Sequence, residues 1–154
     1  MWASAAGRSE HEVVEAINVL AAERSPDDAA GLFERASAFD YAGREAEAEP
    51  LYRAALAAGL DRRRHAEAII QLASTMRNLG RAAESIALLR AEVAAGHADG
   101  LADVRAAFLA LALVDAGRPR EAVAEALTAL TRHLTQYRRA VTHYADELRT
   151  RADP

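Results

Sequence analysis

Short stretches that contain Gly-Arg constrain the fold of this chain more than any other feature of the sequence. Ala-Gly-Arg occurs at 6–8, 42–44 and 116–118, and Leu-Gly-Arg occurs at 79–81. The last three glycines, Gly43, Gly80 and Gly117, are 37 residues apart in both intervals. Self-similarity at a period of about 20–50 residues is typical of repeat arrays. The sequence therefore predicts a repeat architecture.

The residues around these three glycines repeat as well. Each glycine has an alanine seven residues before it, a larger apolar residue four before it, an arginine directly after it and a glutamate four after it. These positions are Ala36, Ala73, Ala110, Phe39, Met76, Leu113, Arg44, Arg81, Arg118, Glu47, Glu84 and Glu121. Agreement over three copies predicts the same local structure in each copy.

Each copy is predicted to be a pair of antiparallel helices. Apolar residues recur at helical spacing, and a glycine in the left-handed conformation commonly ends a helix. We name the helix before each glycine the A helix and the helix after it the B helix. The pattern predicts helices at about 26–42, 45–58, 62–79, 82–95, 101–116 and 119–134, preceded by a half repeat at 10–23 and followed by a capping helix at 136–151.

Local signals indicate where some of these helices begin. Ser9 followed by Glu12 forms a capping box pattern. Ser25 is predicted to cap the second helix, with Pro26 as its first residue. Pro50 lies inside the next predicted helix, where proline removes a backbone hydrogen bond. The overlay of the copies favours a continuous, kinked helix over one that starts just before Pro50.

Composition narrows the class of protein. The 40 alanines indicate helices that approach closely, and the 19 arginines against 23 acidic residues give a net charge of −4, which provides no general reason to bind nucleic acid. No cysteine is present and the histidines are scattered, so no metal site is predicted. The longest apolar run, 106–114, is too short to cross a bilayer, and the N-terminus lacks a signal-peptide pattern. We expect a cytoplasmic protein without membrane contact.

The repeated positions resemble those of the tetratricopeptide repeat family. The resemblance is carried by Ala36, Phe39, Gly43, Ala48, Tyr52, Ala55 and Leu56, by Leu72, Ala73, Met76, Gly80, Ser85, Leu89 and Val93, and by Leu109, Ala110, Leu113, Gly117, Ala122, Ala126, Ala129 and Leu130. It covers about 26–134, with a period of 37 where the family usually has about 34. The resemblance implies an all-α, right-handed helix-turn-helix solenoid of about eight helices, as a single domain over 1–154 with repeats at 26–60, 61–97 and 98–134.

The resemblance also implies a non-enzymatic scaffold that binds a protein or peptide in a concave groove lined by the A helices. The groove residues that it implies are Phe33, Ser37, Asp40, Tyr41, Gln71, Ser74, Arg77, Asn78, Phe108 and Leu111. Only Arg77 and Asn78 fit the family's clamp for a C-terminal carboxylate, so no such clamp is predicted. No phosphate loop or nucleophile motif occurs, and we predict no catalytic residue and no cofactor.

Two alternative functions stay open. The third A helix, at 101–116, is apolar nearly all round, so something is expected to cover its groove face. We expect the chain's own helix at 136–151 to do so, but a second copy in a homodimer or a target helix would also fit, which makes a homo-oligomeric structural protein one alternative. The other is a small-molecule-binding or enzymatic domain that uses a polar patch of Ser37, Asp40, Gln71, Ser74 and Arg77.

Overall fold

The computed structural model describes residues 9–23, 25–96 and 98–150, and within them it contains eight α-helices and no strand. This confirms the all-α prediction. The helices are α1 (Glu10–Ala22), α2 (Ala29–Tyr41), α3 (Glu45–Ala58), α4 (Arg62–Asn78), α5 (Ala82–Ala95), α6 (Ala102–Asp115), α7 (Pro119–Thr131) and α8 (Arg138–Thr150). None of these helices is long and apolar enough to span a membrane. The first Ala-Gly-Arg copy, at 6–8, lies outside the described residues.

The chain divides into two compact units, Met1–Thr75 and Met76–Pro154, with the boundary inside α4. In the described part of the first unit, α1 packs on α2 and α2 packs on α3. In the second unit, α5 packs on α6, α6 on α7 and α7 on α8. Helices in a repeat array contact mainly their neighbours along the chain. A repeat array can therefore be divided into compact units along its length. The single domain over 1–154 stays a prediction.

A glycine with positive φ follows each A helix, as predicted. The three glycines are Gly43, Gly80 and Gly117, with φ of 65°, 76° and 73°. At the first turn the Arg44 N–H donates to the Phe39 carbonyl at 2.9 Å, and the Gly43 N–H donates to the Asp40 carbonyl at 3.0 Å. The same pair of bonds closes the turns after α4 and α6. This is the Schellman arrangement, which satisfies the free carbonyl groups at a helix end.

The arginine and glutamate that recur after each glycine pair with each other. In the second copy the Arg81 guanidinium donates to the Glu84 carboxylate at 2.6 and 2.7 Å. The pairs Arg44–Glu47 and Arg118–Glu121 form in the same way. Each arginine directly precedes a B helix, and none of the three helix starts has a side-chain cap. The three-residue spacing of arginine and glutamate recurs in each copy because the ion pair stabilises the first turn of each B helix.

The start of α2 differs from the prediction. Ser25 and Pro26 were expected to begin the helix, but α2 begins at Ala29 with Asp28 as its N-cap. The Asp28 carboxylate accepts a hydrogen bond from the Gly31 N–H at 2.7 Å, and the Asp28 N–H donates to the Ser25 carbonyl at 2.9 Å. Ser25 and Pro26 therefore form a turn before the helix, since the carboxylate of Asp28 satisfies a free N–H of the first helical turn.

Two other predicted helix features are confirmed. The capping box is present at α1, where the Ser9 N–H donates to Glu12 Oε2 at 2.7 Å and the Glu12 N–H donates to Ser9 Oγ at 3.3 Å. Helix α3 runs without a break from Glu45 to Ala58 with Pro50 inside it. Comparison of the repeat copies therefore predicted this helix correctly, whereas the helix-breaking tendency of proline alone would have placed its start just before Pro50.

The C-terminal helix does not cover the groove face of α6, which corrects the prediction. Helix α8 packs on α7, where Arg149 Nη2 donates to Thr128 Oγ1 at 2.8 Å. Val104, Leu111 and Val114 on α6 stay 40%, 46% and 54% exposed. Helix α8 follows a B helix and packs on it, as α6 packs on α5, so it takes the place of the next A helix in the repeat order.

A buried ion pair holds the loop before α6. Arg105 is 2% exposed, and its guanidinium donates to both oxygens of Asp99 at 2.8 Å. Asp99 Oδ1 also accepts from the Leu101 N–H at 2.9 Å. The bidentate pair therefore fixes the chain that enters α6, because two hydrogen bonds hold each buried charge against the other.

Candidate functional site

The predicted groove residues of the first unit differ widely in exposure. Phe33 and Ser37 are buried, at 5% and 8% exposed. Asp40, Gln71 and Ser74 are half-buried, and Tyr41 is exposed. The structure brings Ser37, Asp40 and Gln71 together, but it places Phe33 in the core, where its ring packs 6.2 Å from the ring of Tyr52.

The predicted groove residues of the second unit lie nearer the surface. Arg77 is half-buried, and its guanidinium donates to Asp115 Oδ2 at 3.2 Å and to Asn78 Oδ1 at 3.1 Å. Asn78 and Leu111 are exposed, and Phe108 is half-buried. The role of all ten residues in binding a partner stays a prediction.

Tyr52 is the centre of a hydrogen-bond network that the sequence did not predict. Its side chain is fully buried, and its hydroxyl contacts Gln71 Oε1, Ser37 Oγ at 3.4 Å and Asp40 Oδ2 at 3.4 Å. Ser37 Oγ donates to Gln71 Oε1 at 2.8 Å, and Thr75 Oγ1 donates to Asp40 Oδ1 at 3.1 Å. The network joins side chains of α2, α3 and the second half of α4.

The electrostatics of this network favour a structural role. Burial raises the pKa of the Tyr52 hydroxyl far above its ordinary value, so the hydroxyl stays protonated and available as a donor. Burial also raises the pKa of the Asp40 carboxyl, while the hydrogen bond from Thr75 opposes that rise. Ser37 and Gln71 bond to each other, and Asp40 accepts from Tyr52 and Thr75, which counts against a small-molecule site built from these polar atoms.

A cavity of about 470 Å³ lies between α1, α2 and the start of α4, within the first unit. Among the described residues, its wall combines apolar or small side chains with three charged ones. These lining residues are Ile17, Leu20, Ala21, Glu23, Ala30, Gly31, Glu34 and Arg64. Binding sites for small ligands have volumes of roughly 300–1,000 Å³. This cavity was not predicted from the sequence, and among the described residues no group of three His, Asp or Glu side chains could hold a metal ion.

Helix α6 presents the other candidate surface, in the second unit. Val104, Phe108 and Leu111 follow one another at spacings of four and three residues, so they lie along one side of the helix. Val114 lies at the edge of the same surface and is 54% exposed. We refer to these four residues as the α6 apolar surface.

Comparison with known proteins identifies the family. A family model described as a tetratrico peptide repeat matches residues 29–148, from the first residue of α2 into α8. Neither the curated proteins nor the solved structures contain a significant match. The matched region covers more than three quarters of the chain and extends past residue 134, which agrees with α8 as the next helix of the repeat order. The chain belongs to the tetratricopeptide repeat family.

Proposed function

We propose that this chain is a non-enzymatic scaffold that binds a protein or peptide on the exposed surfaces of its A helices. Membership of the tetratricopeptide repeat family supports a role in protein–protein interaction. The α6 apolar surface carries the proposal, because its own chain leaves Val104, Leu111 and Val114 exposed. Exposed apolar side chains at this helical spacing are typical anchors for a partner helix or peptide.

Ion pairs border the α6 apolar surface. Asp103, near the start of α6, accepts from Arg132 Nη1 at 2.6 Å and lies 2.8 Å from His133 Nε2. Asp115, at the end of α6, accepts from Arg77. An apolar centre with a polar rim is the usual composition of a protein–protein interface. The rim would orient a partner, while the apolar side chains would supply most of the affinity.

A display experiment tests this proposal. Peptides that bind the full chain are selected from a random library, and their affinity is then measured for two variants. Leu111→Glu should weaken binding about tenfold or more, because it places a charge among buried apolar contacts. Val123→Glu on α7 is the matched control, since Val123 is 48% exposed and Leu111 is 46% exposed. Equal loss of binding in both variants would contradict the proposal.

A second copy of the chain is the alternative occupant of the α6 apolar surface. The uncovered side chains of Leu111 and Val114 would suit an isologous dimer as well as a foreign peptide. Light scattering over a concentration series separates the two cases. A dimer that Leu111→Glu dissociates would support the homo-oligomeric alternative, and a chain that stays monomeric at all concentrations would exclude it.

A further inference from the structure

We infer that the cavity between α1, α2 and the start of α4 binds a lysine or arginine side chain of a peptide partner. The inference rests on the proposed function, since it assigns a partner chemistry to a second surface of the scaffold. It concerns the first unit only, so it can fail while the α6 apolar surface still binds a partner.

Only the first copy has small residues at both of two neighbouring positions that face this cavity. Ala30 and Gly31 line it on α2. At the equivalent positions, 37 and 74 residues later, the other copies carry Glu67 and Ala68, then Val104 and Arg105. Glycine inside a helix lowers helix stability relative to alanine, so its presence here needs a local reason. The missing side-chain volume at these two positions supplies that reason.

The wall of the cavity suits the alkyl part of a long basic side chain. Ile17, Leu20 and Ala21 form the side contributed by α1. Ile17 is buried at 4% exposed, whereas Leu20 is 44% exposed. A lysine or arginine buries its methylene groups against apolar surface and keeps its charged end among polar groups. The buried end of this wall, at Ile17, suits the methylene groups, and the exposed end, at Leu20, suits the charged group.

The charges at the cavity select a cation. Among the described residues, the charged side chains that line it are Glu23, Glu34 and Arg64, so carboxylates outnumber guanidinium groups there. The Arg64 guanidinium donates to Asp61 Oδ2 at 2.8 Å, and its charge also interacts with that of Glu34. Residues 1–75 carry eight arginines and 13 acidic residues, a net charge of −5, so the surrounding field also attracts a cation. An acidic side chain would be repelled by the glutamates of the cavity and by the net negative charge of residues 1–75.

Direct binding measurements test the inference. The probes are amidated pentapeptides Gly-Leu-Xaa-Leu-Gly with a fluorescent label on the N-terminal amine, in which Xaa is arginine, lysine, citrulline, norleucine or glutamate. Fluorescence anisotropy with the full chain should show binding of the arginine and lysine peptides. The citrulline and norleucine peptides should bind about tenfold more weakly, because they lose the charge-assisted contact. The glutamate peptide should not bind.

Two variants locate the site. Glu34→Gln should weaken binding of the arginine peptide about tenfold, since it removes one carboxylate. Ala30→Leu should abolish binding by filling the cavity at unchanged charge, and the fold should accept it because Val104 occupies the equivalent position of the third copy. Glu15→Gln is the control, because Glu15 lies on α1, which contributes to the cavity wall, but is not among the described lining residues.

The outcomes separate this inference from the proposed function. Loss of binding in Ala30→Leu and Glu34→Gln, with full binding in Glu15→Gln and Leu111→Glu, supports it. Equal binding of the arginine and citrulline peptides overturns it, as does the absence of binding by any basic peptide. Loss of binding in Leu111→Glu alone overturns it but leaves the proposed function standing. Self-association that Ala30→Leu abolishes would make a second copy the occupant and would also overturn it.

Discussion

A single hydroxyl explains why three predicted groove residues are tied to the interior of the protein. Tyr52 stands where the later copies carry Leu89 and Ala126, so only the first copy has a polar atom at this B-helix position. That difference was visible in the sequence. The hydrogen-bond partners of Tyr52 were not visible in the sequence. Comparing equivalent positions of the repeats gives no information on contacts between different helices. The contacts of Tyr52 with Ser37 and Gln71 therefore had to come from the structure.

Removal of this hydroxyl should destabilise the first unit. Tyr52→Phe is expected to lower the free energy of unfolding by about 1–2 kcal/mol, because the side-chain oxygens of buried Ser37 and half-buried Gln71 lose a hydrogen-bond partner. Urea unfolding measures the change. Tyr41→Phe is the control, since Tyr41 is 52% exposed and its variant should stay close to the wild type. A Tyr52→Phe variant as stable as this control would show that the network adds no stability.

The turn glycines allow a test of backbone conformation alone. Gly80 has φ of 76°, and a Cβ atom built there meets no atom within 4 Å. Gly80→Ala should therefore cost about 1–2 kcal/mol from the left-handed conformation and nothing from crowding. Gly80→Asn should cost less, because asparagine adopts this conformation more readily, and Gly80→Val should cost at least as much as Gly80→Ala. Thermal unfolding of the three variants measures the order, and an unchanged stability in Gly80→Val would refute the role of this glycine as a helix stop.

At the scale of helices, prediction succeeded where both ends of a helix carry repeated signals. Helices α3 and α5 have the predicted bounds, because an arginine precedes each and a glycine follows each. Prediction failed for the start of α2, where Ser25 and Asp28 both carry capping side chains and only geometry decides between them. It also failed for the packing of α8, since an amphipathic pattern shows that one face is buried but not which helix buries it.

The entry to α6 depends on the Asp99–Arg105 pair, and this dependence should appear in the response to pH. Hydrogen bonds from Arg105 hold the pKa of Asp99 well below its ordinary value of 3.8. A carboxyl with a lowered pKa in the folded state stabilises the fold above its unfolded pKa, and this contribution is lost as the pH falls below that value. The free energy of unfolding should therefore decrease below about pH 4.

Asp99→Asn tests this pair directly. The variant should be less stable than the wild type by about 3 kcal/mol at neutral pH, because the buried guanidinium of Arg105 loses the carboxylate that accepts two of its hydrogen bonds. Its stability should also change less with pH below about pH 4. Chemical unfolding at several pH values measures both effects. Asp61→Asn is the comparison, since Asp61 is exposed, and an equal loss of stability in the two variants would contradict the account.

At the scale of the whole molecule, the end helices matter because a repeat array has an unpaired helix face at each end. Helix α1 covers α2 at one end, where Val13, Val14 and Ile17 form a buried cluster with Ala38. Helix α8 covers α7 at the other. The sequence predicted both helices from their amphipathic patterns, but no further Gly-Arg follows 116–118, so the role of α8 as the next A helix was not recognised.

Deletion of residues 136–154 should expose α7 and cause self-association. Helix α8 buries Ala145 completely and packs on α7, so its loss uncovers the surface around Thr128. Light scattering should show larger particles, and the thermal midpoint should fall. Tyr144→Ser, at a side chain that is 58% exposed, should leave the particle size unchanged. A truncated chain with the size and stability of the full chain would refute the capping role.

Amide chemical-shift mapping tests the central claim most directly. A peptide selected on the full chain is titrated into isotope-labelled protein, and the shifted amides are assigned to helices. If the chain binds partners on its A helices, the largest shifts should fall on α2, α4 or α6, with α6 affected around Leu111. Shifts confined to the B helices α3, α5 and α7 would contradict the claim.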